Sequence, residues 1–365
     1  MTVESLGPRA HRFEYLDVLR LICAAAVVFF HFLVVNPFTD LTPRSLLTAP
    51  SFLVYGQFGV EVFFMISGFV ITLSARGRTP GKFLWARFLR LYPAFWICCI
   101  ATALIITLSG NSHHTLWKSS WVGFGVNLTM LAGFLHTPYV DQVYWSLKPE
   151  LQFYAFVALL MMVRIRIDAL LVITAWLALC VVEPFTSGTL AKLLNAGAMT
   201  AFAPFFIVGI LIQSTLDRQM IPAKIGLLAV ALALACRLSF AHALEFASRG
   251  LPSPNPYVSV TCVLIGAALV FVSAYARAPA RYQRPMIILG AMTFPLYLIH
   301  NSAGAVLTGL LIRFVPASVA TLIAMVVVVS AAAFIALVLE PALRNVMRRF
   351  ELVRKLQAPV PVIAS

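Results

Sequence analysis

The residues that first suggest chemistry lie in the opening apolar run, where Arg20 and His31 are eleven positions apart. On an α-helix that spacing is three turns plus about 20°, so both residues share one face, about 16 Å apart along the axis. Asp17 lies nearly on the same face, one turn earlier. Histidine has an unperturbed pKa of about 6.5, which suits a general base near neutral pH. Together the three residues favour a catalytic site.

Each of these residues also has a structural explanation. Arg20 lies only just inside the run and could extend to lipid headgroups. His31 could be a neutral imidazole hydrogen-bonded to a neighbouring helix. The second run holds Glu61, and a carboxylate in apolar surroundings needs a partner, such as Arg20 or another buried cation. For Glu61, a structural ion pair competes on equal terms with substrate binding.

Arg87 and Arg90 precede the third run and, three residues apart, share a helix face. Such a pair suits bidentate binding of phosphate. Charge that orients the chain in the membrane is the competing explanation. The nearby Gly81-Lys82 is not part of a P-loop, because Phe83 stands where Ser or Thr is required.

Aromatic residues accompany a carboxylate where the fourth run begins. Tyr144 directly precedes the run, and Trp145 and the candidate catalytic residue Glu150 lie within it. Hydrogen bonding plus ring stacking is how a sugar would be held there, whereas a belt of interfacial aromatic rings is the alternative. In the ninth run Tyr297 precedes His300, which is the rival of His31 as a base.

About ten transmembrane helices must position these residues. The chain is 61% hydrophobic and 11% charged, against roughly 25% charged in a soluble domain. Runs of about 20 apolar residues cross a hydrocarbon core of about 30 Å as helices, and they lack the alternation of a barrel strand. We therefore predict an all-α membrane protein. The runs are 18–37, 51–72, 91–108, 145–163, 169–182, 193–212, 225–240, 257–275, 287–310 and 317–339.

Lysine and arginine predict the orientation, because cytoplasmic loops are rich in both. With the N- and C-termini in the cytoplasm and ten spans, 20 of the 27 basic residues face the cytoplasm. Segment 121–135 is apolar but glycine-containing, and counting it as a span breaks this pattern, so we interpret it as re-entrant or interfacial. We expect one transmembrane domain over residues 1–340 and a short basic cytoplasmic tail over 341–365.

Several classes of function are not favoured by the composition. The net charge of +14 is explained by membrane orientation and anionic lipid headgroups, so no nucleic-acid partner is expected. The six cysteines lie within apolar runs without metal-type spacing, so neither a metal site nor a disulfide framework is expected.

In order along the chain, these motifs resemble those of the acyltransferase 3 family, integral membrane O-acyltransferases of bacterial surface polysaccharides and related acceptors. The resemblance extends from Tyr15 to about Pro341. It rests on Leu16-Asp17-x-Leu19-Arg20 followed by His31, on Phe63-Phe64-Met-Ile-Ser-Gly-Phe69, on Arg87-x-x-Arg90 with Leu-Tyr-Pro, on Trp145-Ser-Leu with Glu150, and on Leu296-Tyr297-Leu-Ile-His300.

This resemblance implies a donor, an acceptor and residue roles. Acyl-CoA, most often acetyl-CoA, would be the cosubstrate at the cytoplasmic face, with Arg87 and Arg90 at its phosphates and Arg20 along its pantetheine arm. His31 would be the base or a transient acyl carrier, and the acceptor would be a carbohydrate or glycolipid hydroxyl. Tyr297 or Ser67 would stabilise the oxyanion.

The expected location is the bacterial inner membrane, as a multi-pass protein in contact with membrane lipids. No permanently bound cofactor is expected. A secondary transporter or a flippase with the same buried His, Arg and Glu is the alternative, although the sequence lacks the repeated halves of many transporters.

Overall fold

The computed structural model describes residues 13–35, 50–109, 121–248 and 252–357, which form helices and no strand. Short 3₁₀ segments (Ser51–Phe58, Gln142–Ser146, Glu183–Phe185) and π-helical segments (His31–Val35, Ile335–Leu339) adjoin the α-helices. The α-helices are α1 (Glu14–Phe30), α2 (Gly59–Ala75), α3 (Pro80–Leu108), α4 (Trp121–Leu128), α5 (Leu147–Met162), α6 (Leu170–Val182), α7 (Gly188–Ala198), α8 (Ala203–Leu216), α9 (Pro222–Ser248), α10 (Pro256–Tyr275), α11 (Ala280–Ile299), α12 (Ser302–Leu311), α13 (Ala317–Phe334) and α14 (Glu340–Gln357).

Among the described residues, seven helical stretches are long and apolar enough to cross a membrane, and the bent pair α11–α12 would make an eighth. The prediction of a multi-pass helical protein is therefore confirmed, whereas the number ten and the orientation stay predictions. The runs predicted at 145–163 and 169–182 form shorter helices, α5 and α6. The ends of the chain, and residues 36 and 37 of the first predicted run, lie outside the described residues.

The predicted run 193–212 is not one continuous helix. Helix α7 ends at Ala198, and Met199 adopts the left-handed conformation with φ 53°. Helix α8 then starts at Ala203, with Pro204 in its first turn. Proline lacks an N–H and fits a first turn well, which explains why the helix restarts there.

The structure of segment 121–135 agrees with its interpretation as a re-entrant or interfacial segment. Helix α4 has only eight residues, a length of about 12 Å. The buried Asn127 fixes the turn that follows, since its Nδ2 donates to the Gly123 and Pro138 carbonyl oxygens and its Oδ1 accepts from Val140 N.

The chain divides into two compact units. One unit comprises Met1–Pro80 and Pro149–Thr293, and the other comprises Gly81–Lys148 and Phe294–Ser365. The expected assignment of residues 1–340 to one domain stays a prediction.

In the first unit, α2 and α8 approach each other through a pair of glycines. A Cβ added at Gly68 would overlap the Phe206 carbonyl oxygen, and one added at Gly209 would overlap the Met65 carbonyl oxygen. The two backbones are thus in direct contact, which fixes α2 and the polar side chains it carries.

We expect Gly68→Ala to destabilise the protein by about 1–3 kcal/mol, because the backbones must separate to admit a methyl group. The measurement is the melting temperature of purified protein in detergent. Gly226→Ala is the matched control, since Gly226 is exposed on α9 and its added Cβ would meet nothing within 4 Å. Equal melting temperatures for the two variants would contradict the close contact.

Candidate active site

His31 lies where α1 changes from α-helical to π-helical geometry. Its Nδ1 is 2.9 Å from the Val27 carbonyl oxygen. A carbonyl oxygen only accepts, so Nδ1 carries the proton in this hydrogen bond and Nε2 carries the lone pair of the neutral ring. That tautomer is the one a general base acting through Nε2 needs. Single π-helical turns within α-helices are also frequent at functional sites.

Packing on both sides holds the His31 end of α1 in place. A Cβ at Gly56 would overlap the Ala26 carbonyl oxygen, so the 3₁₀ segment Ser51–Phe58 lies directly against α1. Phe30 packs with Val34 and Val54 in a buried cluster and contacts the Phe246 ring of α9, with 6.0 Å between ring centroids.

Asp17 and Arg20 form an ion pair within α1, with Arg20 Nη1 3.1 Å from Asp17 Oδ1. The helix is continuous from Glu14 to Phe30, so the axial separation of about 16 Å between Arg20 and His31 follows from its rise. The helix face predicted from the sequence therefore carries the Asp17–Arg20 ion pair at one end and the His31 imidazole at the other.

The partner suggested for Glu61 was wrong in one respect. Glu61 pairs with α9 rather than with Arg20, since Ser239 Oγ donates to Glu61 Oε2 and His242 Nδ1 is 3.4 Å from Glu61 Oε1. The physical reason is that Asp17, one turn away on the same helix, already satisfies Arg20. His242 thus occupies the place of the second, unnamed partner suggested for Glu61.

Sequence reasoning missed Ser239 and His242. His242 lies just beyond the predicted run 225–240, and its separation from Glu61 along the chain is 181 residues. The available signal was periodicity, because Ser239, His242 and Phe246 follow the i, i+3, i+7 pattern of one helix face.

Glu150 of α5 contacts α2, where Ser67 Oγ donates to its Oε1 over 2.6 Å. Ser67 was expected to be a candidate oxyanion donor, but in this structure its single hydroxyl proton is directed at Glu150. Glu150 is half-buried and Ser67 is buried, so the pair is partly shielded from water. The first unit therefore contains Asp17, Arg20, His31, Glu61 and Glu150.

The second unit contains the arginine pair. Arg90 Nη1 is 3.9 Å from the buried Glu340 Oε1, and Arg344 pairs with the same carboxylate. Arg87 lies over the Phe83 ring, with 5.9 Å from Cζ to the centroid. Arg90 and Arg344 share the single carboxylate of Glu340, and Arg87 adds a further positive charge. These side chains together therefore carry a net positive charge.

The aromatic residues of the fourth motif differ in exposure. Tyr144 is 2% exposed and packs edge-on against Phe95, with 5.1 Å between ring centroids, whereas Trp145 is 41% exposed. Of these two rings, Trp145 is therefore the more accessible to solvent. The expected substrate-binding role of both residues stays a prediction.

Tyr297 and His300 lie in a buried part of the second unit. Tyr297 Oη is 2.7 Å from Ser146 Oγ and 3.2 Å from the Val143 carbonyl oxygen. His300 is 0% exposed, and its Nδ1 is 2.8 Å from the Tyr297 carbonyl oxygen. A base must reach the proton it removes, so this burial favours the half-buried His31 over His300.

Asp141 supports the turn that follows His300 and was missed by the sequence analysis. It accepts from Asn301 Nδ2 at 2.9 Å and from Ser302 N at 2.8 Å, where α11 and α12 meet at a 70° bend. Burial raises the pKa of Asp141 above its usual value. Asp141 therefore caps α12 and fixes the direction of the chain beside His300.

Ionisable side chains paired inside apolar helices define a multi-pass membrane protein with a built polar site. Residues 13–339 match the model of the Acyl_transf_3 family, described as an acyltransferase domain. The chain therefore belongs to this acyltransferase family, which confirms the resemblance.

Among curated proteins, the acyltransferase MdmB of Streptomyces mycarofaciens is 30% identical over 160 residues, which cover 41% of this chain and 39% of that protein. The aligned part is thus about two fifths of the relative's length. No solved structure matches the chain.

Proposed function

We propose that the protein is a membrane O-acyltransferase that moves an acyl group, acetyl in the first instance, from acyl-CoA to a hydroxyl of a carbohydrate or glycoconjugate. The observation that carries the proposal is the Nδ1 hydrogen bond of His31 to Val27, which leaves the Nε2 lone pair of the neutral imidazole as the base. Family membership supports acyl transfer as the reaction type.

In the direct form of the reaction, His31 Nε2 takes the proton of the acceptor hydroxyl while its oxygen attacks the thioester carbonyl carbon. The carbon–sulfur bond then breaks, and the CoA thiolate leaves with the proton returned by the imidazolium. In the two-step form, Nε2 itself attacks the thioester, and the acyl group passes from the ring to the acceptor. Each form consumes one acyl-CoA and releases one CoA.

The two ends of α1 suggest how donor and acceptor would approach. Arg20, paired with Asp17, lies at the end that the charge pattern assigns to the cytoplasm, where acyl-CoA is made. The excess positive charge of Arg87, Arg90 and Arg344 over Glu340 suits binding of CoA phosphates. His31 lies about 16 Å further along α1, towards the face from which an extracytoplasmic acceptor would come.

The Glu61–His242 pair would contribute to acceptor binding. Glu61 lies in the first turn of α2, and Phe246, one turn beyond His242 on α9, contacts the neighbour of His31. A half-exposed imidazole beside a buried carboxylate offers hydrogen bonds to sugar hydroxyls. We place the protein in the bacterial inner membrane.

Release of CoA by purified protein in detergent tests the proposal, with acetyl-CoA and a panel of sugar acceptors. We expect acceptor-dependent CoA release by the wild type and none by His31→Ala. A transporter or flippase would bind substrate without consuming acyl-CoA. Bound but uncleaved acyl-CoA across acceptors and chain lengths would contradict the proposal.

We expect His242→Ala to raise the KM for the acceptor about tenfold with a smaller change in kcat, because hydrogen bonds to charged groups contribute about 1.5–3 kcal/mol. Steady-state kinetics with acceptor and acetyl-CoA varied in turn provide the measurement. The KM for acetyl-CoA should be unchanged, and an equal rise in both KM values would contradict a role at the acceptor.

A further inference from the structure

A cavity of about 530 Å³ lies at the opposite end of the first unit from His31. It is bordered by the last turn of α2, the last turn of α5 with the chain that follows it, and the segment after α8. The charge pattern assigns this end to the cytoplasmic side. Four arginines and two aspartates line the cavity: Arg76, Arg78, Arg164, Arg166, Asp168 and Asp217.

One wall of the cavity is a fixed network of ion pairs. Arg166 donates to Asp168 through Nε at 2.9 Å and Nη2 at 2.6 Å. Arg76 pairs with Asp217, and its Nη2 also donates to Gln213 Oε1 at 2.7 Å. The hydrogen bond from Arg76 lowers the pKa of Asp217. Both arginines are thereby held in place before any ligand binds.

The pKa of the neighbouring Asp168 is also lowered. Burial alone would raise this pKa, but the Arg166 hydrogen bond and the nearby positive charges outweigh burial. Asp168 and Asp217 are therefore both ionised at neutral pH. Two negative charges against four arginines leave a net charge of about +2 in the cavity.

The excess charge belongs to Arg78 and Arg164, which form no ion pair with the part of the chain that the structure describes. Arg164 is also unusual in its backbone, with φ 59°. It ends α5 in the left-handed conformation, a position where glycine or asparagine is the common choice. The turn that follows α5 therefore holds Arg164 at the rim of the cavity.

Membrane orientation alone does not account for this arrangement. Basic residues that only determine the orientation of a membrane protein need no buried carboxylates and no glutamine side chains to hold them in position. Here Asp168 is 3% exposed, and Gln219 accepts from Arg166 at 3.0 Å. The cavity is thus a built anion site with two arginines fixed and two available.

We propose that this cavity binds the phosphate of an anionic phospholipid headgroup. Arginine donors match phosphate oxygens in a bidentate manner. Most of the remaining lining is apolar, including Val157, Met161 and Ile165, and provides a surface along α5 and the chain that follows it for the glycerol and the upper acyl chains. None of the described residues that line the cavity is aromatic, so a nucleotide base would find no ring to stack on.

Native mass spectrometry of delipidated protein, titrated with phosphatidylglycerol or phosphatidylcholine, tests the proposal. The variant is Arg78→Gln with Arg164→Asn, in which asparagine tolerates the left-handed backbone. The matched control is Arg281→Gln with Arg284→Gln, which removes two exposed charges assigned to the same side. Each variant is first checked for an unchanged melting temperature without lipid, and Arg78→Gln alone replaces the double variant if the double variant melts lower. Arg→Lys at both positions is the control that retains the charge.

The wild type should prefer phosphatidylglycerol over phosphatidylcholine. The cavity variant should lose about tenfold or more of its phosphatidylglycerol affinity, while the control loses less than about twofold. The lysine variant should retain most of the affinity.

Equal losses in the cavity variant and the control would indicate diffuse surface charge and overturn the proposal, as would the absence of any lipid preference. Displacement of phosphatidylglycerol by adenosine 3′,5′-diphosphate, but not by the same concentration of inorganic phosphate, would reassign the cavity to a nucleotide. The readout is lipid binding, so the result does not depend on acyl transfer.

Discussion

His31→Ala should lower the rate of acyl transfer by about a hundredfold to ten-thousandfold, the usual contribution of a positioned general base. The amount of protein in the membrane should not change, because His31 is half-buried and its hydrogen bond to Val27 lies within its own helix. The measurement pairs CoA release with quantitation of the folded protein by size-exclusion chromatography.

A second substitution separates catalysis from structure at the same position. His31→Asn places an amide N–H where it can donate to the Val27 carbonyl oxygen, as Nδ1 does, but removes the basic nitrogen. Both variants should be inactive if Nε2 is the base. Activity in His31→Asn together with inactivity in His31→Ala would show that the hydrogen bond, rather than the base, is what the reaction needs.

The matched control for these variants is His136→Asn. His136 is exposed in the loop after α4 and has φ 52°, a conformation that asparagine also tolerates. It should retain full activity. A comparable loss in this control would attribute the effect of the His31 variants to general destabilisation.

Radiolabelled acetyl-CoA without acceptor distinguishes the two forms of the reaction. If His31 carries the acyl group, rapid quenching should trap label on the wild-type protein and none on His31→Asn, and the kinetics should be ping-pong. If His31 acts only as a base, no label is trapped and both substrates must bind before CoA is released. Either result agrees with a role in the reaction, whereas label on both proteins would place the carrier elsewhere.

Local geometry made the Asp17–Arg20 pair predictable. The two residues are three apart on a continuous helix, and such spacing alone places side chains within reach. The same argument gave the alignment of Arg20 with His31 and the shared face of Arg87 and Arg90. All of these inferences need only the period of the α-helix, which the apolar pattern indicates reliably over long runs.

Contacts between distant segments could not be predicted in the same way. Glu61 meets Ser239 at a separation of 178 residues, and Ser67 meets Glu150 at a separation of 83. The runs that bring them together are apolar on all sides, so periodicity does not say which face meets which neighbour. Small residues indicate which helix faces meet, since Gly68 and Gly209 fix the contact of α2 with α8.

Interruptions of helices were also only partly visible in the sequence. The π-helical segment that starts at His31 contains no glycine or proline, and Met199, the left-handed residue that ends α7, is neither, although Gly197 lies two residues earlier. Both depend on how neighbouring segments pack. The bend between α11 and α12 was equally hidden, because it depends on Asp141, which comes from a separate part of the chain.

Glu150→Gln is expected to lower kcat about tenfold or more, an effect of the size that loss of a charged catalytic group produces. Glutamine has the same shape, and its amide oxygen can still accept from Ser67 Oγ. The variant therefore removes the charge and retains the hydrogen bond seen at 2.6 Å. The measurement is single-turnover acyl transfer, and Glu183→Gln, in a short 3₁₀ segment after α6, is the control.

Substitution of Ser67 tests whether Ser67 and Glu150 act together. Ser67→Ala leaves the carboxylate charged but removes a charge-assisted hydrogen bond, which contributes about 1.5–3 kcal/mol. If the pair acts as a unit, the double variant should be little worse than Glu150→Gln alone, because the hydroxyl contributes less to a neutral amide than to the ionised carboxylate. Additive losses would mean that Ser67 and Glu150 act separately.

The position of the Ser67–Glu150 pair determines how the results of these single and double variants are interpreted. Ser67 lies at the point where α2 is locked against α8 by Gly68, so its hydroxyl cannot turn far from Glu150 without moving the helix. A carboxylate fixed in this way can orient an acceptor hydroxyl or stabilise the imidazolium that forms on a base. Full activity in Glu150→Gln would remove both roles and leave the 2.6 Å hydrogen bond as a contact that holds α5 to α2.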